Sequence, residues 1–135
     1  MDETGNSGVL LVARCLLAAL FLWSGIGKIA GYDEAGQFMV QHGTIGLLLP
    51  VAIAVEIGGA ALLIVGFKVR FAAAALAGFC VVTALLFHAN FIDRAQTVHF
   101  LKDIALAGGL LALYVSGPGR MSLDGSGDGT REIVD

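Results

Sequence analysis

Residues 46–88 read GLLLPVAIAVEIGGAALLIVGFKVRFAAAALAGFCVVTALLFH. Two apolar runs, 46–66 and 70–88, meet at a short link with Lys68 and Arg70 at its edge, and Glu56 is the one Asp, Glu, Lys or Arg inside either run. A helix rises about 1.5 Å per residue and needs about 20 mainly apolar residues to cross the hydrocarbon core of a bilayer. Each run has that length. A link this short makes the two helices antiparallel neighbours. Strands of a membrane barrel need polar residues at every second position, whereas 47–55 and 71–77 are continuously apolar or small. The reading is helical.

Working outward, two further apolar stretches cover 9–30 and 99–116, which predicts an all-α bundle of four transmembrane helices. Asp2 and Glu3 stand where a signal peptide carries positive charge, and no A-x-A site follows, so the first stretch is expected to remain as a helix. The composition agrees with lipid as the solvent. The 135 residues are 57% hydrophobic and 14% charged, against about 45–50% and about 25% in soluble domains. The formal net charge is -3, and no basic run or aromatic–basic interleaving supplies a nucleic-acid footprint.

The expected organisation is an N-terminal tail over 1–8, a membrane domain over 9–118 and a flexible, Gly-, Ser- and Asp-rich tail over 119–135. Segments 31–46 and 89–98 read as polar connections. With four spans, Arg14, Lys68, Arg70, Arg120 and Arg131 fall towards the side of the termini, and Lys28, Arg94 and Lys102 towards the other. The positive-inside rule then places both termini in the cytoplasm. Small residues four apart, Gly27 with Gly31, Ala54 with Gly58, Ala74 with Gly78 and Ala105 with Gly109, are the candidates for close helix contact in lipid.

The ionisable residues in or at the edges of the spans are Arg14, Lys28, Glu56, His99, Lys102 and Asp103. A charge at the centre of a membrane helix costs about 2.5–3.5 kcal/mol on insertion scales, so such groups need partners or water. Arg14, Phe21, Gly25 and Lys28 share one stripe of the first helix, and Ala52, Gly59 and Ala60 share the face of Glu56. His99, Lys102 and Asp103 fall at i, i+3 and i+4 of the last helix. Together these residues are expected to form a polar, ligand-binding cluster, with Glu56 paired to Lys28 or Arg14. Snorkelling to headgroups is the competing reading for Lys28, His99 and Lys102. Three histidines on separate elements make a weak metal set. The two cysteines, Cys15 and Cys80, lack a CxxC spacing and lie at different depths, so neither a disulfide nor dithiol catalysis is expected.

The segments RCLLAALFLWSGIGKIAG, AVEIGGAALLIVG, HFLKDIALAGGLLALYVSGPG and GRMSLD together resemble the DoxX family of small bacterial membrane proteins, over Val9 to Asp124. The resemblance aligns Arg14, Lys28, Glu56, Lys102 and Asp103 with the family's recurring polar positions, where many members carry Asn in place of Asp103. It implies a bacterial inner-membrane, redox-associated and quinone-linked accessory protein, with lipid, a redox partner protein or a second copy as partners. No heme, flavin or iron–sulfur motif is legible, and no catalytic motif, so any enzymatic role is that of a subunit in a membrane oxidoreductase. The alternatives are a small proton-coupled transporter and a membrane assembly factor.

Overall fold

The computed structural model describes residues 3–44, 46–88 and 90–124. Five helices follow in order: α1 (Glu3–Ala30), α2 (Tyr32–Gln41), α3 (Leu48–Val65), α4 (Val69–Phe87) and α5 (Arg94–Ser116). Four of them, all but α2, are long and apolar enough to cross a membrane. The all-α, four-span reading therefore holds, with one short helix added. α1 packs chiefly on α3 and α4 chiefly on α5, and α3 joins the two pairs. Both ends of the described chain lie at the end of the bundle that carries the α3–α4 link, called here the link end. α2 lies at the other, the α2 end.

Local chemistry sets the boundaries. Pro50 sits in the first turn of α3, where a missing N–H costs no intrahelical bond. Gly66, at φ 76°, ends that helix, with the amides of Gly66 and Phe67 both donating to the Leu62 carbonyl. α5 begins at Arg94, five residues before the expected 99, because the Asp93 carboxylate accepts from the Ala95 amide at 3.0 Å and extends the helix through a polar first turn. α2 was expected as a polar connection. Its acidic first turn, Asp33 and Glu34, complements the helix dipole, and Ala35, Phe38 and Met39 form an apolar face at i, i+3 and i+4.

The expected tails are also shorter. α1 begins at Glu3, and the buried Ser7 hydroxyl accepts from the Arg120 amide at 3.2 Å. Gly119–Asp124 folds back onto the link end. The Asp124 carboxylate accepts from the Lys68 and Val69 amides, each at 2.9 Å, and its own amide donates to the Gly66 carbonyl. α4 has no side-chain cap within its own segment, so a carboxylate 55 residues away from Val69 supplies it. The rest of the expected flexible tail, 125–135, lies outside the described residues.

The core is built from small residues: Ala18, Ala60, Ala72, Ala73, Ala77 and Ala107 interleave with Phe21, Leu63, Leu76 and Leu110. The four expected small-residue pairs do not make the close contacts. Gly27, Ala54, Gly58, Ala74, Gly78, Ala105 and Gly109 are all exposed. The tight approaches are at Gly25, where a Cβ would come within 2.6 Å of Ile57, and at Gly59, where it would come within 2.9 Å of Leu76. Spacing of four identifies a candidate pair; which face of the helix it occupies depends on the neighbours.

Two outcomes test this architecture. Reporters fused after Asp135 and inserted in the 66–68 link should both read cytoplasmic in a topology assay, and a periplasmic signal from either inverts the orientation. Gly66→Ala places a Cβ against Ser122 and Arg14 in left-handed backbone. It should cost about 1–3 kcal/mol in detergent unfolding, while Gly58→Ala, whose Cβ meets open space, should be silent.

Candidate functional site

The polar residues inside the bundle sort into two groups at opposite ends. At the link end, Arg14 has 0% exposure. Its guanidinium donates to the carbonyls of Leu63 at 2.9 Å and Ile64 at 3.5 Å, and to that of Met121. It neither snorkels nor reaches Glu56. Instead it neutralises the carbonyl end of α3, where the macrodipole favours a cation, and ties that end to the C-terminal segment. Arg14 thus ties helix ends together at the link end and does not line the cavity at the other.

Toward the α2 end, Lys28 fulfils the pairing expected for Glu56. Its ammonium donates to Glu56 Oε1 at 2.7 Å and to Ser24 Oγ at 2.8 Å. Glu56 lies eight residues into α3, about 12 Å from its start, and its side chain is 2% exposed. The second oxygen, Oε2, is buried without a hydrogen-bond partner among the described residues. Both residues line a cavity of about 590 Å³, a volume in the usual range of about 300–1,000 Å³ for small-molecule sites.

All five helices contribute to this cavity. Phe21 and Ser24 come from α1, Phe38 and Met39 from α2, Leu49, Ala52 and Val55 from α3, Phe79, Cys80 and Thr83 from α4, and Asp103 and Leu106 from α5. Most of the lining is apolar. Across from the Lys28–Glu56 pair, a second polar group forms where α4 meets α5. The Thr83 hydroxyl donates to the Cys80 carbonyl at 3.0 Å and lies 3.5 Å from Asp103 Oδ2. His88 Nε2 lies 3.9 Å from the same oxygen. His88 Nδ1 bonds Gln96 Oε1 at 2.8 Å, and the ring stacks on His99 at 5.1 Å between centroids.

Of the six residues singled out from the sequence, Lys28, Glu56, His99 and Asp103 meet at this cavity. Arg14 lies at the far end. Lys102 is exposed on the outer face of α5, because a step of one residue from Asp103 turns a helical side chain by about 100°. Ser24, Thr83 and His88 complete the polar lining, and the wall from α2 was not foreseen. The apolar spacing of Ala35, Phe38 and Met39 was the available signal. His42, from the same segment, packs on Phe38 and Phe87 at 4.0 and 5.6 Å between centroids and fastens the end of α2 to α4. Cys15 faces outward and Cys80 inward, and both are free thiols.

A four-span helical bundle with an apolar cavity and an internal ion pair defines a small polytopic membrane protein. The DoxX family model matches residues 9–89. The chain is 42% identical over 124 residues to inner membrane protein YqjF of Escherichia coli K12, covering 92% of this chain and 95% of that protein. It is 32% identical over 124 residues to inner membrane protein YphA of the same organism, covering 86% and 88%. No solved structure matches it. The chain belongs to the DoxX family and is a multi-pass inner-membrane protein.

The ion pair makes a double-substitution test. Lys28→Met leaves the Glu56 carboxylate buried without its cation and should destabilise the protein by about 3–5 kcal/mol. Lys28→Met with Glu56→Met replaces both charges by apolar side chains of similar length and should recover most of that loss. Unfolding in detergent measures both, and equal stability of the single and double variants would show that the pair is not coupled.

Proposed function

We propose that this DoxX-family protein is a ligand-binding accessory subunit that holds a quinol-class molecule from the bilayer for a membrane redox partner. The observation that carries the reading is Glu56, a residue of the wall of a largely apolar cavity whose Oε2 is buried with no partner among the described residues. An orphan carboxylate oxygen inside a bilayer is costly. A ligand that brings a hydrogen-bond donor relieves the cost.

The polar lining favours the reduced form of such a ligand. Glu56 and Asp103 accept, and a quinol hydroxyl donates. Lys28 retains one N–H beyond its bonds to Ser24 and Glu56, which can meet a second ring oxygen. The aromatic and aliphatic walls from Phe21, Phe38, Phe79 and Leu106 suit the ring. A bound quinol carries electrons and protons. The residues of this chain would bind and orient it, with Glu56 and Asp103 as acceptors and Lys28 as donor.

Duroquinol titrated into the full chain in nanodiscs should raise the unfolding midpoint, by the equivalent of about 2.7 kcal/mol when present at 100 times its Kd. Glu56→Gln turns an amide N–H₂ toward the ligand hydroxyl and should weaken binding at least about tenfold, or about 1.4 kcal/mol. No stabilisation by the quinol, or undiminished binding to Glu56→Gln, overturns the reading. Proton-driven flux of another solute in proteoliposomes would favour a transporter instead. Recovery of a client protein without quinol from native membrane would favour an assembly factor.

A further inference from the structure

The rim of the cavity has two kinds of edge. At the α2 end it is polar, with Lys28, Thr44, His88 and His99. Lower down it is apolar and exposed: Val51 of α3 is 56% exposed and Val82 of α4 is 52% exposed, although both line the cavity. Leu48 and Leu86 flank them, exposed in the same way. Val51 is three residues from the start of α3 and Val82 five from the end of α4, which puts them about 4.5 and 7.5 Å into the bundle at about 1.5 Å per residue. They stand at similar depth on facing helices. Since both helices cross the membrane, these side chains face acyl chains, not water.

The fold explains why a gap lies there. α3 and α4 are held together at the link end by the short turn at 66–68, by Arg14 on the last carbonyls of α3 and by Asp124 on the first amides of α4. Over their whole lengths α3 packs chiefly on α1 and α4 chiefly on α5, and the cavity is lined from both pairs. The core between α3 and α4 is continuous around Ala60 and Leu76 and gives way above it to the cavity walls.

From this arrangement we infer that the slot between Val51 and Val82 is a lateral portal, through which the cavity takes a single-chain amphiphile from the bilayer. The head donates a hydrogen bond to Glu56 Oε2, and the chain remains threaded between α3 and α4. The inference rests on the proposed ligand site at Glu56 and adds the route and the shape of the ligand. A head that must reach a buried carboxylate about 12 Å deep in α3, together with a hydrocarbon-facing opening above it, selects for a molecule with one polar end and one flexible apolar tail. A water-soluble ligand would have no use for the apolar edge.

The test uses the full chain in nanodiscs and radiolabelled hexadecanol with a diazirine midway along the chain, so that the probe has a hydroxyl head and is not a quinol. Photolysis should label Val51, Val82 and Leu86, saturably with unlabelled hexadecanol. Val51→Trp with Val82→Trp, two lipid-facing changes that fill the slot, should cut this saturable labelling at least fivefold, while Val51→Ala with Val82→Ala keeps it. Val115→Trp, exposed at the link end, should change nothing. Non-saturable labelling spread over outward residues such as Trp23 and Ile29, or labelling unaffected by the tryptophans, overturns the portal. Failure of duroquinol with saturable hexadecanol labelling rejects the quinol head and retains the portal; duroquinol binding with non-saturable labelling rejects the portal alone.

Discussion

The 2.7 Å ion pair between Lys28 and Glu56 is the interaction on which the cavity depends. It joins α1 to α3 through a carboxylate that is 2% exposed and a lysine that is 28% exposed. The approach requires Gly25. A Cβ at that position would strike Ile57 and come within 3.5 Å of Glu56 Cβ, so any larger residue pushes α1 away from the helix that carries the carboxylate. A glycine on one helix, small neighbours on the other and a long flexible lysine together bring a full charge to a buried partner. The pair then fixes which oxygen is bonded and which is left without a partner among the described residues.

The link end solves the complementary problem. The last carbonyls of α3 and the first amides of α4 have no intrahelical partners. Arg14 supplies donors to the former and Asp124 acceptors to the latter, each with the sign that the helix dipole favours at that terminus. Both side chains come from remote parts of the chain, so the first helix and the C-terminal segment close the same end. The fold is consequently asymmetric. One end is bound by charge-assisted bonds to backbone, and the other is left with a cavity whose polar groups bond mainly to one another.

Much of this was legible in the sequence because lipid imposes length and continuity on a helix. The four spans and the helical class follow from the apolar runs, and the shared stripe of Arg14, Phe21, Gly25 and Lys28 narrows the partner of Glu56 to Arg14 or Lys28, of which the structure has Lys28. Three features were not legible, each for a physical reason. α2 is amphipathic and only ten residues long, so its polar face reads as a loop until its apolar face has a wall to complete. Asp124 sits in a Gly-, Ser- and Asp-rich run whose composition predicts disorder, and its order comes from two amides on another helix. Arg14 and Lys102 were grouped with the other charges by depth and spacing alone, whereas a guanidinium seeks carbonyls and Lys102 is turned away from Asp103.

Why the cavity retains charge is a question of energies. Replacing a buried ion pair by apolar side chains of similar volume is often neutral or stabilising by about 1–4 kcal/mol, and the interior of this bundle, rich in alanine and leucine, would accommodate such side chains. Packing therefore gives no reason for a carboxylate at position 56, still less for one with an oxygen left unbonded. Arg14 differs in where its bonds go: its two terminal nitrogens donate to the backbone carbonyls of Leu63, Ile64 and Met121, although its Nε is also buried without a partner among the described residues. The charge at the link end stabilises the fold through the bonds it makes. At Glu56 one carboxylate oxygen is bonded to Lys28 and the other has no partner among the described residues, on a side chain that belongs to the lining of the cavity. The Arg14 bonds tie two helix-end carbonyls to the C-terminal segment and Arg14 lines no part of the cavity, whereas Glu56 lines it, and that placement is why the proposed ligand site is put at Glu56.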